Sequence, residues 1–406
     1  MTKRTTTIKK MTTDRDYYCR NKFTFLKIDV EQKSTYNCHA AAPHVIDIKW
    51  LQKNPGNLFN TDINVNERKL MLENKRNSSC EQNCYRAEDV GAVGPRILEG
   101  GPVRTHLDPI ATPEIIDINL TSECNLACSY CTRVFSTAWR RDLVQHGDYV
   151  NLDSTGYNAP SYKLTSIDKI TSRLSQSEKK HSKHTDLILN EFALLSTDVK
   201  KIIITGGEPF LNNFLFELLD LVKHVNEIKI FTGLGLSCGR FHDVINKLQN
   251  YPNVLVCVSA ENLGDLYEFN RNGARWNDTC FMLDQLKKST ISTMIHSTLS
   301  CLTIHGFPEF LNQYSDWTRE IDVVHVPTFM PMNVVDDESK EKIIHDLHKH
   351  EFKNKDHIIS SLKIDPTEQQ RQHLKSFLQQ FSVRRSLNLN IFPKSFLKWL
   401  DIHVVQ

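Results

Sequence analysis

"SECNLACSYCTR", residues 122–133, sets Cys124, Cys128 and Cys131 at the spacing C-x3-C-x2-C. Thiols this close can converge on one metal centre, and thiolates select zinc or iron–sulfur clusters. A structural zinc site takes four ligands. Three thiols suit a [4Fe–4S] cluster instead, because three irons are then held by protein and the fourth is open to a chelating ligand. The triplet follows the β-branched run "EIIDINLT" (114–121), which reads as a strand, so the thiols leave its C-terminal end.

Five more runs of this kind follow: "KKIIITG" (200–206), "EIKIFTG" (227–233), "NVLVCVS" (253–259), "STMIHSTLS" (292–300) and "DVVHVP" (322–327). Between several of them lie amphipathic segments such as "NNFLFELLDLVKHV" and "RWNDTCFMLDQLKKS", with apolar residues three and four apart. Alternating strands and helices predict parallel strands joined by right-handed crossovers. Six units predict an α/β fold of the partial (β/α)6 TIM type, with chemistry at the C-terminal ends of its strands. "CNLACSYC", "GGEP" and Ser259 with Glu261 all follow strands and so fall on one rim.

The Gly- and Pro-containing "EGGPVRTHLDPIATPE" marks a boundary. It gives a cysteine-rich N-terminal domain over 1–110, the barrel over 111–334 and a helical C-terminal extension over 335–406. In the extension, "SKEKIIHDLHKHEF" and "TEQQRQHLKSFLQQF" have helical spacing, and the helices are expected to pack on the barrel's outside. The segment 134–185 is long and polar for a connection, and reads as a helix with a lid-like loop or a partly disordered stretch.

Lys+Arg 50 against Asp+Glu 48 leaves no net field to draw the chain to nucleic acid or an acidic membrane. The basic, Thr-rich N-terminus lacks an apolar h-region and no stretch approaches the length of a membrane span, so a soluble, cytoplasmic protein is expected. Eleven cysteines are many for a cytosolic enzyme and too dilute for a disulfide scaffold, which leaves metal ligation as the default. Cys238, Cys257, Cys280 and Cys301, in or beside apolar runs, read as small core residues.

With Tyr130 in the C-x3-C-x-aromatic-C pattern and Gly206-Gly207-Glu208-Pro209 after the second strand, the sequence resembles the radical S-adenosylmethionine (radical SAM) superfamily. The resemblance implies that Cys124, Cys128 and Cys131 hold the [4Fe–4S] cluster that cleaves the cofactor. Tyr130 and the Gly206–Pro209 turn would contact S-adenosylmethionine, the turn at its amino group. "VSAENLGDLYEFNRNGARW" resembles the stretch after the family's fourth strand, which implies Ser259 and Glu261 at the ribose and Arg271 at the carboxylate. A guanidinium suits bidentate carboxylate recognition. The implied chemistry is a 5′-deoxyadenosyl radical that abstracts hydrogen from a substrate, fed by an electron donor such as a flavodoxin or ferredoxin.

Upstream, "YCRNKFTFLKIDVEQKSTYNCHA" reads as a hairpin from its alternating Phe23, Phe25, Ile28 and Val30, with Cys19 and Cys38 at its ends. "NSSCEQNCYRAED" adds Cys80 and Cys84. Together with "TRVFSTAWRRD" after the triplet, this resembles the twitch (SPASM-like) branch of the superfamily. That implies an auxiliary iron–sulfur cluster on Cys19, Cys38, Cys80 and Cys84; Cys84 and Glu88 fit the branch's C-x3-E run, while the usual hairpin glycine is replaced by "VEQKS". Zinc and unligated thiols remain alternatives at these four positions.

The substrate suggested by that branch is a peptide or protein side chain. The alternatives are a small molecule or nucleobase, a role in activating a glycyl-radical enzyme, and a non-catalytic iron–sulfur or zinc protein. His345, His348, His350 and His357 read as a solvated helix rather than a metal patch, for lack of a carboxylate or cysteine partner. "SEKKHSKH" and "VRRS" read as solvated surface.

Overall fold

The computed structural model describes residues 16–38, 41–89, 94, 96–97, 104–152 and 183–403. Its contacts divide the chain into two units, Met1–Ile118 with His181–Ile202, and Asn119–Lys180 with Ile203–Gln406. In chain order the strands are β1 Phe25–Asp29, β2 Ser34–Tyr36, β3 His44–Val45, β4 Ile115–Asn119, β5 Lys201–Thr205, β6 Glu227–Thr232, β7 Val254–Ser259, β8 Ser292–Leu299 and β9 Arg319–Val323. The described helices of seven residues or more are α1 Asp62–Leu72, α2 Thr137–His146, α3 Lys183–Leu195, α4 Leu215–Val222, α5 Cys238–Leu248, α6 Gly264–Asn270, α7 Trp276–Lys288, α8 Phe307–Gln313, α9 Asp337–Leu347, α10 Lys355–Leu362 and α11 Glu368–Arg385.

In the first unit β1 and β2 form the expected hairpin, antiparallel with Ile28 opposite Thr35, and β3 adds antiparallel to β2. The turn needs no glycine because Lys33 itself takes a left-handed conformation, φ 53°. The alternation does not run through the whole stretch: Asn21–Thr24 is a helical turn, so Phe23 reaches the core from a helix and not from the strand. A buried ion network sits beside this hairpin. Lys22 Nζ donates to Glu67 Oε2 (2.6 Å) and to Ser79 Oγ (2.7 Å).

In the second unit β6, β7, β8 and β9 pair in that order, all parallel. Val254, Val256, Cys257 and Val258 of β7 are buried on both faces, as a parallel sheet covered by helices requires. The helices are amphipathic at the expected spacing: α5, capped by Ser237, buries Phe241, Val244, Ile245 and Leu248. The fold class is α/β with a mostly parallel sheet, and the six predicted runs correspond to β4 through β9. The last of them is displaced. Pairing begins at Thr318, whose carbonyl accepts from Ile295 N, so β9 starts before "DVVHVP" and ends at Val323.

After residue 335 the chain is helical. α11 opens with a Thr367–Gln370 capping box and buries Leu374, Phe377, Leu378 and Phe381 along one stripe. These rings share a core with Ile295, Leu299, Phe307 and Phe310 of the strand–helix region. Within the 134–185 segment α2 is a helix, and residues 153–182 lie outside the described residues. No helix among the described residues is long and apolar enough to cross a membrane.

Candidate active site

The loop from β4 to α2 carries the triplet, and the surrounding chain fixes it at almost every residue. Thr137 Oγ1 accepts from Cys124 N (3.1 Å) and donates to Cys124 O (3.0 Å). Ser136, which caps α2 at Trp139 N, donates its hydroxyl to Leu126 O (2.6 Å). Ala127 N and Ser129 N donate to the carbonyls of Asn272 and Asn270, at 2.8 and 2.7 Å. The indole Nε1 of Trp139 donates to Cys128 O (2.9 Å), and Leu126 N donates to Cys124 Sγ (3.4 Å). Cys124 and Cys128 are buried and Cys131 is half-buried.

Burial pushes all three thiols up, that of Cys128 to about 11 and that of Cys131 to about 12, and their nearness to one another adds to the rise at Cys124 and Cys131. Loss of those protons therefore awaits a cation or cluster, because a metal must replace them on sulfur.

The Gly206–Pro209 turn lies against the lead-in to this loop. Gly207 N donates to Thr121 O and Glu208 N to Glu123 O, both at 2.7 Å. A Cβ on Gly207 would stand 2.2 Å from Glu123 O, and one on Gly206, at φ 135°, 2.6 Å from Thr121 O. The glycines thus admit the close approach of the chain's own backbone, whereas the sequence pattern suggested an approach to a ligand. Pro209 opens a 3-10 turn, Pro209–Leu211.

Glu208 is fully buried. Its carboxylate accepts from Thr232 Oγ1 (2.7 Å), Gly233 N (3.0 Å), Gly235 N (3.3 Å) and Phe210 N (3.2 Å). Burial raises its pKa and these four donors oppose the rise. The side chain ties the turn after β5 to the loop after β6.

Ser259 is the last residue of β7, half-buried, with His296 as its register partner on β8. Two residues on, Glu261 is wholly buried and engaged: Arg271 Nε and Nη2 reach its oxygens at 3.2 and 2.7 Å, and Tyr130 donates its hydroxyl at 3.1 Å. Both oxygens of Glu261, the residue expected at the ribose, thus already accept hydrogen bonds from protein. Arg271 lies 5.7 Å from the Tyr130 ring centroid. Burial works against its charge, yet Glu261 holds its pKa well above the usual value.

These elements converge at Gly233. A Cβ built there would lie 2.9 Å from Leu126 Cδ1 of the cysteine loop, 3.6 Å from Arg271 Nη1 and 3.8 Å from Glu208 Oε2. An acidic and a basic side chain thus flank Gly233, where a Cβ would press on Leu126 of the thiol loop. Ser136, Thr137, Trp139, Thr232 and Gly233 were not singled out by motif; the Ser/Trp content of "STAWRR" was the available signal for the first three.

In the first unit Cys19, Cys38, Cys80 and Cys84 are all buried. Cys19, Cys80 and Cys84 pack in one cluster with Tyr18, Phe23, Met71 and Tyr85. Burial raises the Cys19 thiol to about 12, with Cys38 and Cys80 adding to it. Burial raises Cys84 to about 11 against a backbone N–H from Arg96, with Cys80 and Cys38 adding to it. Glu88 forms a buried pair with Arg96 (2.6 Å), whose Nη1 donates to Asp16 O and Tyr18 O and so anchors the approach to Cys19.

Among the described residues no set of three or more His, Cys, Asp or Glu side chains has the geometry to hold a metal ion. A cluster spaces its thiolates more widely than one ion does, and thiol-only donor sets are what iron–sulfur clusters take. Cys124, Cys128 and Cys131, and likewise Cys19, Cys38, Cys80 and Cys84, are thiol-only donor sets, of the kind that iron–sulfur clusters and, with four thiols, zinc both take. His345 and His348 are exposed. "VRRS" is a correction: the side chains of Arg384 and Arg385 are only 10% and 6% exposed, because Asp142 and the rings of Tyr149, Trp139 and Phe381 draw them inward.

The Radical SAM superfamily profile matches residues 118–314. No curated protein is a significant match. Solved structures similar to the chain include native anSMEcpe with bound AdoMet, at 15% identity over 58% of this chain and 59% of that one, TM-score 0.34. Streptococcus suis SuiB bound to S-adenosylmethionine is 13% identical over 68% of this chain and 46% of that one, TM-score 0.32. TYW1 with a lysine–pyruvate adduct is 18% identical over 70% and 80%, TM-score 0.34. The chain thus spans 59% of the length of the first of these. The cysteine loop, the Gly206–Pro209 turn and the Glu261–Arg271 pair all fall within the span that matches the Radical SAM superfamily model.

Proposed function

We propose that the protein is a radical SAM enzyme that acts on a peptide or protein side chain. The observation that carries the radical SAM reading is the convergence at Gly233 of the thiol loop, Glu208 and Arg271, elements far apart in sequence. Radical SAM domains use a [4Fe–4S] cluster and S-adenosylmethionine, which when bound supply a 5′-deoxyadenosyl radical able to take a hydrogen atom from a substrate. Cys124, Cys128 and Cys131 would hold the cluster, with the backbone of the Gly206–Pro209 turn near the cofactor's amino group. Arg271 Nη1, the guanidinium nitrogen nearest Gly233, would take the carboxylate, and Ser259 would serve the ribose.

Glu261 holds Arg271 and Tyr130 in place from behind. A buried bidentate pair fixes the guanidinium's plane, so a carboxylate meets a pre-oriented partner. Leu126 and Ala274, packed with the thiols, keep water from the loop. The four thiols of the first unit would hold an auxiliary cluster. Backbone N–H groups already aimed at Cys19 and Cys84 sulfurs are the kind of contact that tunes such a group. A flavodoxin- or ferredoxin-type donor would supply electrons.

Anaerobic reconstitution with iron and sulfide, then iron counting and a 5′-deoxyadenosine assay with reductant, tests the reading. Cys124→Ala should abolish the product, and no 5′-deoxyadenosine from iron-loaded wild type refutes it. Mass spectra of proteins, nucleosides and metabolites incubated with active enzyme then decide the substrate, and a change confined to nucleosides or metabolites refutes the peptide assignment.

A further inference from the structure

The sequence reading left the C-terminal arginines to solvent, and the structure turns them toward the cysteine loop. We propose that α11 belongs to the cluster site, with Arg384 and Arg385 as positioning residues that act on Cys128 through Trp139. The inference rests on the reading above only in taking Cys128 as a cluster ligand.

The path is short and each link is a specific contact. The carbonyl of Cys128 accepts from Trp139 Nε1 at 2.9 Å and from Cys131 N at 3.0 Å, so the indole fixes the peptide between two of the three thiols. Trp139 is wholly buried. Its ring is faced by the Arg385 guanidinium at 4.7 Å and by the Tyr149 ring at 5.7 Å. Arg385 also lies 4.1 Å from the Phe381 ring, so Phe381 and Trp139 both contact it. Such stacking suits a planar, weakly hydrated cation.

The arginines are themselves held. Asp142 pairs with both, Arg384 Nη1 and Arg385 Nη2 each at 3.2 Å. It lies three residues after Trp139 on α2, hence on the same face. Arg385 Nη1 donates to the Tyr149 hydroxyl (2.8 Å), and Arg384 lies over the Tyr149 ring at 3.9 Å. Arg384 also donates to Gly147 O and Asp148 O, both at 2.9 Å. One turn back on α11, Gln380 meets Val150 N and O, each at 2.9 Å. Thus α11 grips α2 and the segment after it, and α2 delivers one hydrogen bond to the ligand loop. General packing would not need that last bond. Its effect is to restrict where the Cys128 sulfur can go.

The test reads the loop without iron. In the metal-free full chain, the alkylation rate of each cysteine by iodoacetamide is followed by mass spectrometry, with buried Cys257 of β7 as the report on global opening. Trp139→Phe keeps an aromatic ring but removes the N–H and part of the indole's bulk, and should speed labelling of Cys128 about tenfold while Cys257 is unchanged, since the Cys128 carbonyl loses one of its two donors. Arg385→Ala should do the same, Arg385→Lys should do so less, and the double variant should add little to either single one because both break one path. Val383→Ala, at a residue 79% exposed on the same helix, should leave every rate alone. Unchanged Cys128 labelling in Trp139→Phe, or equal acceleration of Cys128 and Cys257 in Arg385→Ala, overturns the proposal. Because these rates are measured without metal, a failure of the wild type to take up a cluster would refute the functional reading and leave them standing.

Discussion

Replacing Glu261 by Gln separates two roles for this residue. The carboxylate is wholly buried and Arg271 is 3% exposed, with contacts at 3.2 and 2.7 Å and the Tyr130 hydroxyl at 3.1 Å. Glutamine preserves the shape, removes the charge and leaves the guanidinium buried without a counter-ion. Breaking one side of a buried pair costs about 3–5 kcal/mol. Against a total stability of roughly 5–15 kcal/mol, that is a large fraction. Denaturant unfolding of metal-free protein, followed by tryptophan fluorescence, should show a clearly lowered midpoint with an unchanged slope. Trp139, Trp276, Trp317 and Trp399 all lie in the second unit, so the signal reports mainly on the unit that holds the pair. Arg271→Met should be destabilising too, because it strands the buried Glu261 carboxylate, whereas the double variant Glu261→Gln/Arg271→Met should recover part of the loss because neither charge is then buried alone. A loss below about 0.5 kcal/mol in Glu261→Gln, within the range of ordinary surface changes, together with weakened S-adenosylmethionine binding would refute this reasoning. It would return Glu261 to the ribose.

Gly207→Ala places a methyl group 2.2 Å from Glu123 O and should prevent stable folding, seen as lost soluble yield or a strongly lowered melting temperature. Gly233→Ala meets only the flexible end of Leu126 at 2.9 Å, and should spare the melting temperature while weakening S-adenosylmethionine binding in calorimetry. Burial alone would raise the pKa of Glu67, yet the His44 imidazole at 3.4 Å and the charge and hydrogen bond of Lys22 hold it at about 2, below the ordinary carboxylate value. Its contribution, about 3 kcal/mol, is present above pH ~4.3 and is lost as pH falls toward 2. Glu67→Gln should flatten that part of the stability-versus-pH curve, measured by urea titrations. Cys80→Ala with Cys84→Ala should lower the iron content of reconstituted protein without abolishing 5′-deoxyadenosine formation, by iron counting and chromatography.

Periodicity and spacing made the six strand–helix units legible, because a buried parallel strand must be apolar for its whole length and a surface helix on one stripe only. The thiol loop was legible because thiolates are the usual ligands of iron–sulfur clusters and three cysteines within eight residues stand out. What escaped was whatever depended on a partner distant in sequence. Gly206 and Gly207 also make room for Asn119 Oδ1, Thr121 O and the Ser122–Glu123 backbone, which no local pattern announces. Glu208 is held by donors from 210 and 232–235, and no local pattern announces that. Arg384 and Arg385 carry charge, which alone reads as surface. Their burial depends on one aspartate and three rings from elsewhere.

The same comparison says where specificity of geometry resides. On the proposed reading, a three-thiol loop with one iron open would have no fourth ligand to define it, so its shape would come from the surrounding chain. Hydrogen bonds from Thr137, Ser136 and Trp139 of the α2 region, and backbone pairing with Asn270 and Asn272, supply that definition on two sides. The glycine turn closes a third through Thr121 and Glu123. In the first unit Cys19, Cys80 and Cys84 lie in an apolar cluster, with the buried pairs Glu88–Arg96 and Lys22–Glu67 in the same unit and Asn77 Oδ1 accepting from Cys80 N at 3.2 Å, so polar contacts hold this region as well.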